Sequence, residues 1–416
     1  MKNLFFISIL AVLSLGTNAQ TAYITSESDS AVFVINVATN TVTDTIKVGS
    51  QPDGVSVSPD GNKVYITNMG DTSISVINTA TNTVSATIAG VSGSGISVSP
   101  DGDKVYVANS GANKVSVINT STNTVTATIT GFNVPWGISV TPDGNKVYVA
   151  NKGSNTVNVI STTTNAVLDT ITVGSEPHGV SVSPDGSKVY VANYVSYSVS
   201  VINTTADTVS STIIVGTGPA GKPSGVSVNH DGSKVYVTNY SANSVCIING
   251  TADTVLAKVK VGVGPRGVSV SPDGNKVYVA NYGSSSVSVI NGIADTVSAT
   301  IPMVGTSPAA FGNFISIYPS HTGIVSSSIV SAGIAVYPDP ASEEIQVSNG
   351  QDAIGSIEIL NIQGQLIKAI ATTGYKTSID VSSLPSGVYI VEMKTKKGVM
   401  VTKFIKEYPI FNLPAK

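Results

Sequence analysis

Cysteine is almost missing from this chain. Cys246 is the single one in 416 residues, which excludes a disulfide framework and a cysteine-based zinc site. Charge is scarce too: Asp, Glu, Lys and Arg make up 11% of the chain, and the net charge is −3. That balance leaves no basic footprint for nucleic acid. The three histidines, His178, His230 and His321, are scattered, so no His, Glu or Asp cluster has metal-ligand spacing. Glycine-rich pieces such as Val261–Gly264 lie between strands rather than between a strand and a helix, and are not phosphate loops.

Long apolar runs are missing except at the start. Lys2, the apolar run Leu4 to Leu15 and the small residues of Thr17-Asn18-Ala19 have the order of an export signal. Residues 1–19 are therefore read as a signal peptide, with Gln20 opening the mature chain. An uncleaved anchor is the rival, but the run is short for a bilayer. No cysteine follows it, which excludes a lipoprotein anchor, and no transmembrane segment is expected in the mature chain.

What the chain has instead is repetition. Gly267-Val-Ser-Val-Ser-Pro-Asp-Gly-Asn-Lys-Val-Tyr-Val-Ala-Asn281 recurs in variant form as far as about Tyr318. Val268 and Val270 alternate with serines, and Val277 and Val279 with Tyr278 and Ala280, which predicts two strands with one face buried. Between them, Ser271-Pro272-Asp273-Gly274 is a hairpin turn: Pro sets φ, Asp bonds back to the backbone and Gly supplies positive φ. The repeat tyrosines are Tyr23, Tyr65, Tyr106, Tyr148, Tyr190, Tyr236 and Tyr278, spaced by 42, 41, 42, 42, 46 and 42 residues. A four-strand unit of that period predicts propeller blades. In the second unit the strands are expected at Gly54–Ser58 (a), Lys63–Thr67 (b), Ser73–Asn78 (c) and Thr83–Ile88 (d).

Seven b-c-d sets run from Ala22–Val48 to Lys276–Met303, but the a strands start one step later and end at 313–318. The economical reading is a ring in which 313–318 pairs into the first blade, which removes two exposed edges. The fold class is therefore all-β, a seven-bladed β-propeller over 20–318. The recurring Lys-Val-Tyr-Val-Ala-Asn, Tyr236-Val-Thr-Asn239 and Ser-Pro-Asp-Gly pieces resemble the YVTN-type repeats of bacterial and archaeal surface proteins. That resemblance implies seven blades and no single activity: relatives include surface-layer components, and more distant seven-bladed proteins include lactonases and redox subunits.

The a-b turns decorate one face of such a ring, and their aspartates, Asp60, Asp101, Asp143, Asp185, Asp231 and Asp273, are turn-formers. The opposite face carries the variation. Each a strand opens on Pro-x-Gly or a close variant, where x is Asp53, Ser94, Trp136, His178, Ser224, Arg266 and Ala309. The residue after each b strand varies as well: Glu27, Met69, Ser110, Lys152, Tyr194, Tyr240 and Tyr282. Trp136, Lys152, His178, Tyr194, Tyr240, Arg266 and Tyr282 are candidate ligand-binding residues, since aromatic faces beside polar groups suit sugars or extended peptides. The plain alternative is loop residues varying under weak constraint. The excess length of the sixth blade, in Gly216–Gly225, falls on the same face. No cofactor is expected, although Glu27, Asp29 and Asp53 could hold a divalent cation if they converge. Cys246 takes the place of a c-strand serine and reads as packing, not as a nucleophile.

After a Ser-rich linker, 319–333, a different pattern of about seven short strands fills 334–407 and predicts a small Ig-like β-sandwich. Val336-Tyr337-Pro338-Asp339-Pro340, Ile359-Leu360-Asn361-Ile362-Gln363-Gly364, Leu384-Pro385-Ser386-Gly387-Val388-Tyr389 and Lys403-Phe404-Ile405-Lys406 resemble the C-terminal sorting domain of the type IX secretion system of Bacteroidetes. The resemblance implies Pro338, Pro340, Gly387, Tyr389, Lys403 and Lys406 as sorting-motif residues, the type IX machinery as partner, and a secreted or outer-membrane-surface location. Asp339 stands where that family has Asn, and the tail 408–416 is a further departure.

Three functions stay open. The favoured one is non-catalytic binding or adhesion to a glycan, peptide or matrix ligand at the channel mouth. The second is a lactonase-like or other hydrolase acting through Glu27, Asp53, His178 or Arg266. The third is a structural surface-layer component without a ligand. N-terminal sequencing of the exported protein is expected to begin at Gln20, and a chain that still began at Met1 would overturn the signal-peptide reading.

Overall fold

In a computed structural model of the protein, residues 20–303, 306–316 and most of 334–406 are described. The chain divides into two compact units, the first ending at His321 and the second starting at Thr322. Residues 1–19, the linker 319–333, Pro340 and the tail 408–416 lie outside the described residues.

The first unit is a ring of seven sheets. Six have four strands each, as in the second blade: Pro52–Val57 (a), Lys63–Asn68 (b), Ser73–Asn78 (c) and Thr83–Ala89 (d), paired antiparallel in that order. The remaining blade has Thr21–Ser26, Ala31–Asn36 and Thr41–Lys47 as its b, c and d strands. Its inner position is taken by the far end of the unit, through the bridges Ala22 to Ile315 and Ser26 to Pro308. Tyr23 N–H donates to Phe314 O at 2.8 Å and Ser316 N–H to Thr21 O at 2.9 Å. The same segment also bonds to the second blade, where Phe311 N–H donates to Asp53 O at 3.1 Å and Val55 N–H to Phe311 O at 3.0 Å. The ring is thus closed from both sides.

Register at the closure differs from the simple repeat. Ser316 bonds Thr21 as Ser58 bonds Lys63 in the second blade, so the pairing runs from 308 to 316. A kink accommodates the extra residues, with φ of 46° at Ala310 and 125° at Gly312. Ile317 and Tyr318 lie outside the described residues.

Alternation in the b and c strands does not mark one wet face. Val64, Tyr65, Ile66 and Thr67 are all fully buried, because a blade lies against each side of the sheet. The seven repeat tyrosines are each no more than 1% exposed. The asparagine amides buried with them donate in pairs: Asn68 Nδ2 donates to Ser73 Oγ at 3.0 Å and to Ser75 Oγ at 2.9 Å, and the pattern returns at Asn193 and Asn281, while their Oδ1 atoms and the Tyr65 and Tyr106 hydroxyls have no partner among the described residues. The a-b turns form as expected, with Ser99 Oγ donating to Asp101 Oδ1 at 2.5 Å and Gly102 at φ 78°. Hydrogen bonds from Ser99 and the Asp103 N–H hold the Asp101 carboxyl below its usual range.

A second motif links neighbouring blades. The lysine opening a b strand reaches the c-d turn of the next blade. Lys146 Nζ donates to Thr204 O at 2.8 Å and to Asp207 Oδ2 at 2.7 Å, while Tyr148 OH donates to Asp207 Oδ1 at 2.6 Å. Lys188 with Asp253 and Lys234 with Asp295 repeat the pair. Around the closure, Lys276 and Tyr278 reach Val37 O and Asn40 Oδ1 of the first blade. Each such link contributes on the order of 1 kcal/mol, but the links act in series around the ring.

Glycine sets the radius. A Cβ on Gly54, Gly95, Gly137, Gly179, Gly225, Gly267 or Gly312 would lie 1.9–2.5 Å from a carbonyl oxygen of the neighbouring inner strand. Six of these belong to the Gly of the recurrent x-Gly, and the oxygen they meet is in most cases that of x in the next blade. The collar narrows the channel to a void of about 20 Å³, between a chamber of about 460 Å³ at the turn face and a pocket of about 230 Å³ at the other.

Among the described residues the second unit has seven strands in two sheets, as the pattern predicts. Ile334–Tyr337, Glu344–Asn349 and Lys376–Asp380 form one; Leu366–Ala371, Ile354–Asn361, Gly387–Thr395 and Gly398–Lys406, in that order, form the other. Ile345, Val347, Ile357, Ile359, Ile379, Val391, Met393 and Phe404 make their common core.

Gly137→Ala is expected to cost at least about 2 kcal/mol, because its Cβ would sit 2.1 Å from His178 O. Gly111→Ala, whose Cβ meets nothing within 4 Å, is expected to stay within about 0.5 kcal/mol. Thermal unfolding of both variants checks the collar, and equal melting temperatures would remove it as the radius-setting contact.

Candidate functional site

The starts of the a strands and the ends of the b strands share a face, since Pro52 pairs with Asn68 and Pro177 with Asn193. Because each collar glycine is pressed against the next blade, the residue before it sits at the rim of the channel. The pocket on this face is lined by Asp53, Trp136, Lys152, His178, Tyr194, Ser224, Tyr240, Arg266 and Phe311. Six of the seven candidate binding residues thus line one cavity. Tyr282, the seventh, adjoins it through Arg266, whose guanidinium lies 4.0 Å over the Tyr282 ring.

Four rings form an arc along one wall. Trp136 stacks on His178 with centroids 5.4 Å apart and planes 24° apart, and His178 stacks on Tyr194 at 4.4 Å and 13°. Tyr240 follows, tilted at 6.5 Å from Tyr194. Two lysines lie over the outer faces, Lys152 Nζ 4.9 Å from the Trp136 ring and Lys222 Nζ 5.1 Å from Tyr194.

His178 is 7% exposed, and its Nε2 has no hydrogen-bond partner. Burial, then the nearby charges of Lys152 and Arg266, push its pKa down to about 3. Glu176 Oε2 is 3.9 Å from Nε2, but that carboxylate is 42% exposed and faces water. Burial therefore wins, and the imidazole is neutral at ordinary pH. The opposite wall is acidic. Arg266 Nη1 donates to Glu27 Oε1, across 239 positions of sequence. Asp53 is 4% exposed, and burial pushes its carboxyl up to about 7 against the lowering effects of Arg266 and the Ser94 hydroxyl, with Glu27 adding to the rise.

Several expectations change here. Phe311, rather than Ala309, fills the seventh rim position: Ala309 is wholly buried, and the kink at Ala310 brings the next side chain to the pocket. The three acids proposed for a cation do not converge on one point. Glu27 pairs with Arg266, Asp29 Oδ2 accepts from Ser26 Oγ at 2.8 Å, and Asp53 lines the pocket. Among the described residues no group of three or more His, Cys, Asp and Glu side chains is gathered to hold a metal ion. Lys222 was not singled out by sequence, although it lies in the over-long Gly216–Gly225. Cys246 is buried, and burial pushes its thiol up to about 11, so it is no nucleophile.

In the second unit, Gly387 pairs with Lys406 and Ile390 with Lys403, which places two of the sorting-motif segments on adjacent strands. Tyr389 stacks on Phe404 at 5.4 Å. Pro338 is exposed just after the first strand of this unit.

These features define a seven-bladed β-propeller with a ligand-sized pocket at one channel mouth, joined to a seven-stranded sandwich. Residues 13–168 and 208–300, more than half of the chain, match the family described as lactonase, 7-bladed beta-propeller, and the chain belongs to that family. Residues 335–407 match the secretion system C-terminal sorting domain, which indicates export by type IX secretion and surface or extracellular placement. No helix among the described residues is long and apolar enough to cross a membrane. A search of the curated proteins finds no match. Among solved structures, a chain of hydrazine synthase from Kuenenia stuttgartiensis is similar at 26% identity and a TM-score of 0.61, covering 65% of this chain and 92% of that one. A protein from Bacteroides uniformis provisionally described as a 6-phosphogluconolactonase shares 17% identity, with a TM-score of 0.60 over 70% of this chain and 98% of its own. A functionally unknown protein from Desulfotomaculum acetoxidans shares 18%, with a TM-score of 0.62 over 72% of this chain and 99% of its own. At those last two identities the likeness concerns the fold alone.

Asp53 gives a stability test with a definite sign. Its folded pKa of about 7 lies above the ordinary 3.8, so its contribution is fully present below 3.8 and is lost as pH rises toward 7. Asp53→Asn is expected to stabilise the protein by on the order of 2–4 kcal/mol near pH 8 and by much less near pH 4. Melting temperatures of both proteins at the two pH values check this, and no gain near pH 8 would overturn the burial assignment.

Proposed function

We propose that the channel-mouth face is a non-catalytic binding site for a saccharide, presented outside the cell by a chain whose signal peptide is removed at Gln20. The observation that carries this reading is the arc Trp136, His178, Tyr194 and Tyr240, with a neutral imidazole in its middle. A sugar ring offers apolar C–H faces to such a wall and hydroxyls to polar groups beside it. His178 Nε2 and Ser224 provide polar atoms in that wall, and the pocket of about 230 Å³ suits one or two sugar units of a longer chain. A rigid ring with variable loops is a usual platform for recognition.

A second reading rests on the family match and on Asp53. Lactone hydrolysis needs a base to take a proton from water, and a carboxyl held near pH 7 has the matching affinity for it. Under this reading Arg266 would orient the lactone carbonyl.

A glycan array probed with the full mature chain separates the two. Saturable binding is expected, weakened by on the order of tenfold or more in a Trp136→Ala, Tyr240→Ala double variant of unchanged melting temperature. Equal binding by both proteins would remove this face as a glycan site. Hydrolysis of sugar lactones that is lost in Asp53→Asn would establish the second reading in its place.

A further inference from the structure

We infer that the Asp53 end of the mouth pocket accepts a positively charged nitrogen, so that the preferred ligand is a saccharide bearing a free amino group rather than a neutral or N-acylated one. This rests on the saccharide-binding reading of the same pocket. Three charged groups meet at that wall: Glu27, Arg266 and Asp53. They comprise two acids and one base, and the pocket's other lining cation, Lys152, has Glu176 Oε2 at 3.8 Å. Arg266 is already spent on Glu27, and one face of its guanidinium lies against Tyr282. Asp53 is the acid in excess, 96% buried and lining the cavity, with the Ser94 hydroxyl at its carboxyl.

A buried carboxylate without its own cation is costly, and the cost is relieved either by a proton or by an arriving cation. A ligand ammonium would replace the proton and gain a charge-assisted hydrogen bond in a site with little water. A neutral ligand leaves Asp53 as it is. An anionic group would find Arg266 occupied by Glu27 and would offer Asp53 no counter-charge. The cations at the aromatic faces are the protein's own: Lys152 lies over Trp136, Lys222 over Tyr194 and Arg266 over Tyr282, so the place left for a ligand cation is the Asp53 end. A second buried polar atom aimed at the same cavity, His178 Nε2, is without a partner and is left to bond a hydroxyl of the ligand.

The test compares two probes of equal length and stereochemistry, a glucosamine tetramer and an N-acetylglucosamine tetramer. Both are titrated calorimetrically near pH 6 into the full mature chain and into Asp53→Asn, a variant expected to be at least as stable as the parent. The amine form is expected to bind the parent at least about tenfold more tightly, and the ratio to fall to within about twofold in Asp53→Asn. Equal binding of the two probes by the parent, or a preference that survives Asp53→Asn, would overturn this inference and leave the saccharide reading standing. Binding of neither probe would sink both for this class of sugar.

Discussion

The contact on which the rest depends is the one between each collar glycine and a carbonyl of the next blade. Seven inner strands come so close that a single methyl group would lie within 2.5 Å of an oxygen. That approach fixes the ring radius, and the radius fixes how the blades meet. It also separates the channel into two chambers, so a ligand at the mouth pocket is held there rather than passed through. The residue before each glycine has its carbonyl turned to a neighbour and its side chain at the rim. The functional face is therefore a by-product of the packing: seven positions whose backbone is fixed and whose side chain is free to vary.

Outward from the collar, the ring is held by periodic polar links rather than by one large core. Each b-strand lysine reaches the c-d turn of the next blade, Tyr148, Tyr190, Tyr236 and Tyr278 do so too, and the last pair reaches the first blade at Asn40. One such link is weak. Seven blades joined head to tail cannot lose one without exposing two faces of Val, Ile and Tyr, so modest links become cooperative. The closing segment adds bonds to blades on both sides of itself and covers the inner edge of the first blade.

At the mouth, burial moves the pKa values of two titratable groups in opposite directions. It strips the charge from His178 and tends to strip it from Asp53, because both charged forms lose water. The same dry wall that makes an aromatic shelf thus also prepares a neutral imidazole and a carboxyl that takes and gives up its proton near neutrality. Glu27 and Arg266 neutralise each other beside them and keep the imbalance at one acid.

Much of this was legible in the sequence because it is short-range. Alternating valines, the Ser-Pro-Asp-Gly turns and the spacing of seven tyrosines determine strands, hairpins and blade number from residues a few positions apart. The offset of a strands against b-c-d sets determines closure, and the parity of turns determines which side chains share a face, so Trp136, His178, Tyr194 and Arg266 could be placed together. The tertiary structure alone decided that both faces of the b strands are buried, that Phe311 rather than Ala309 reaches the rim, and that Glu27 pairs with Arg266 from the other end of the propeller. It also decided the protonation of His178 and Asp53. Those outcomes depend on distances between blades and on how far water is excluded, and both are set only when the ring has closed to the radius the glycines allow.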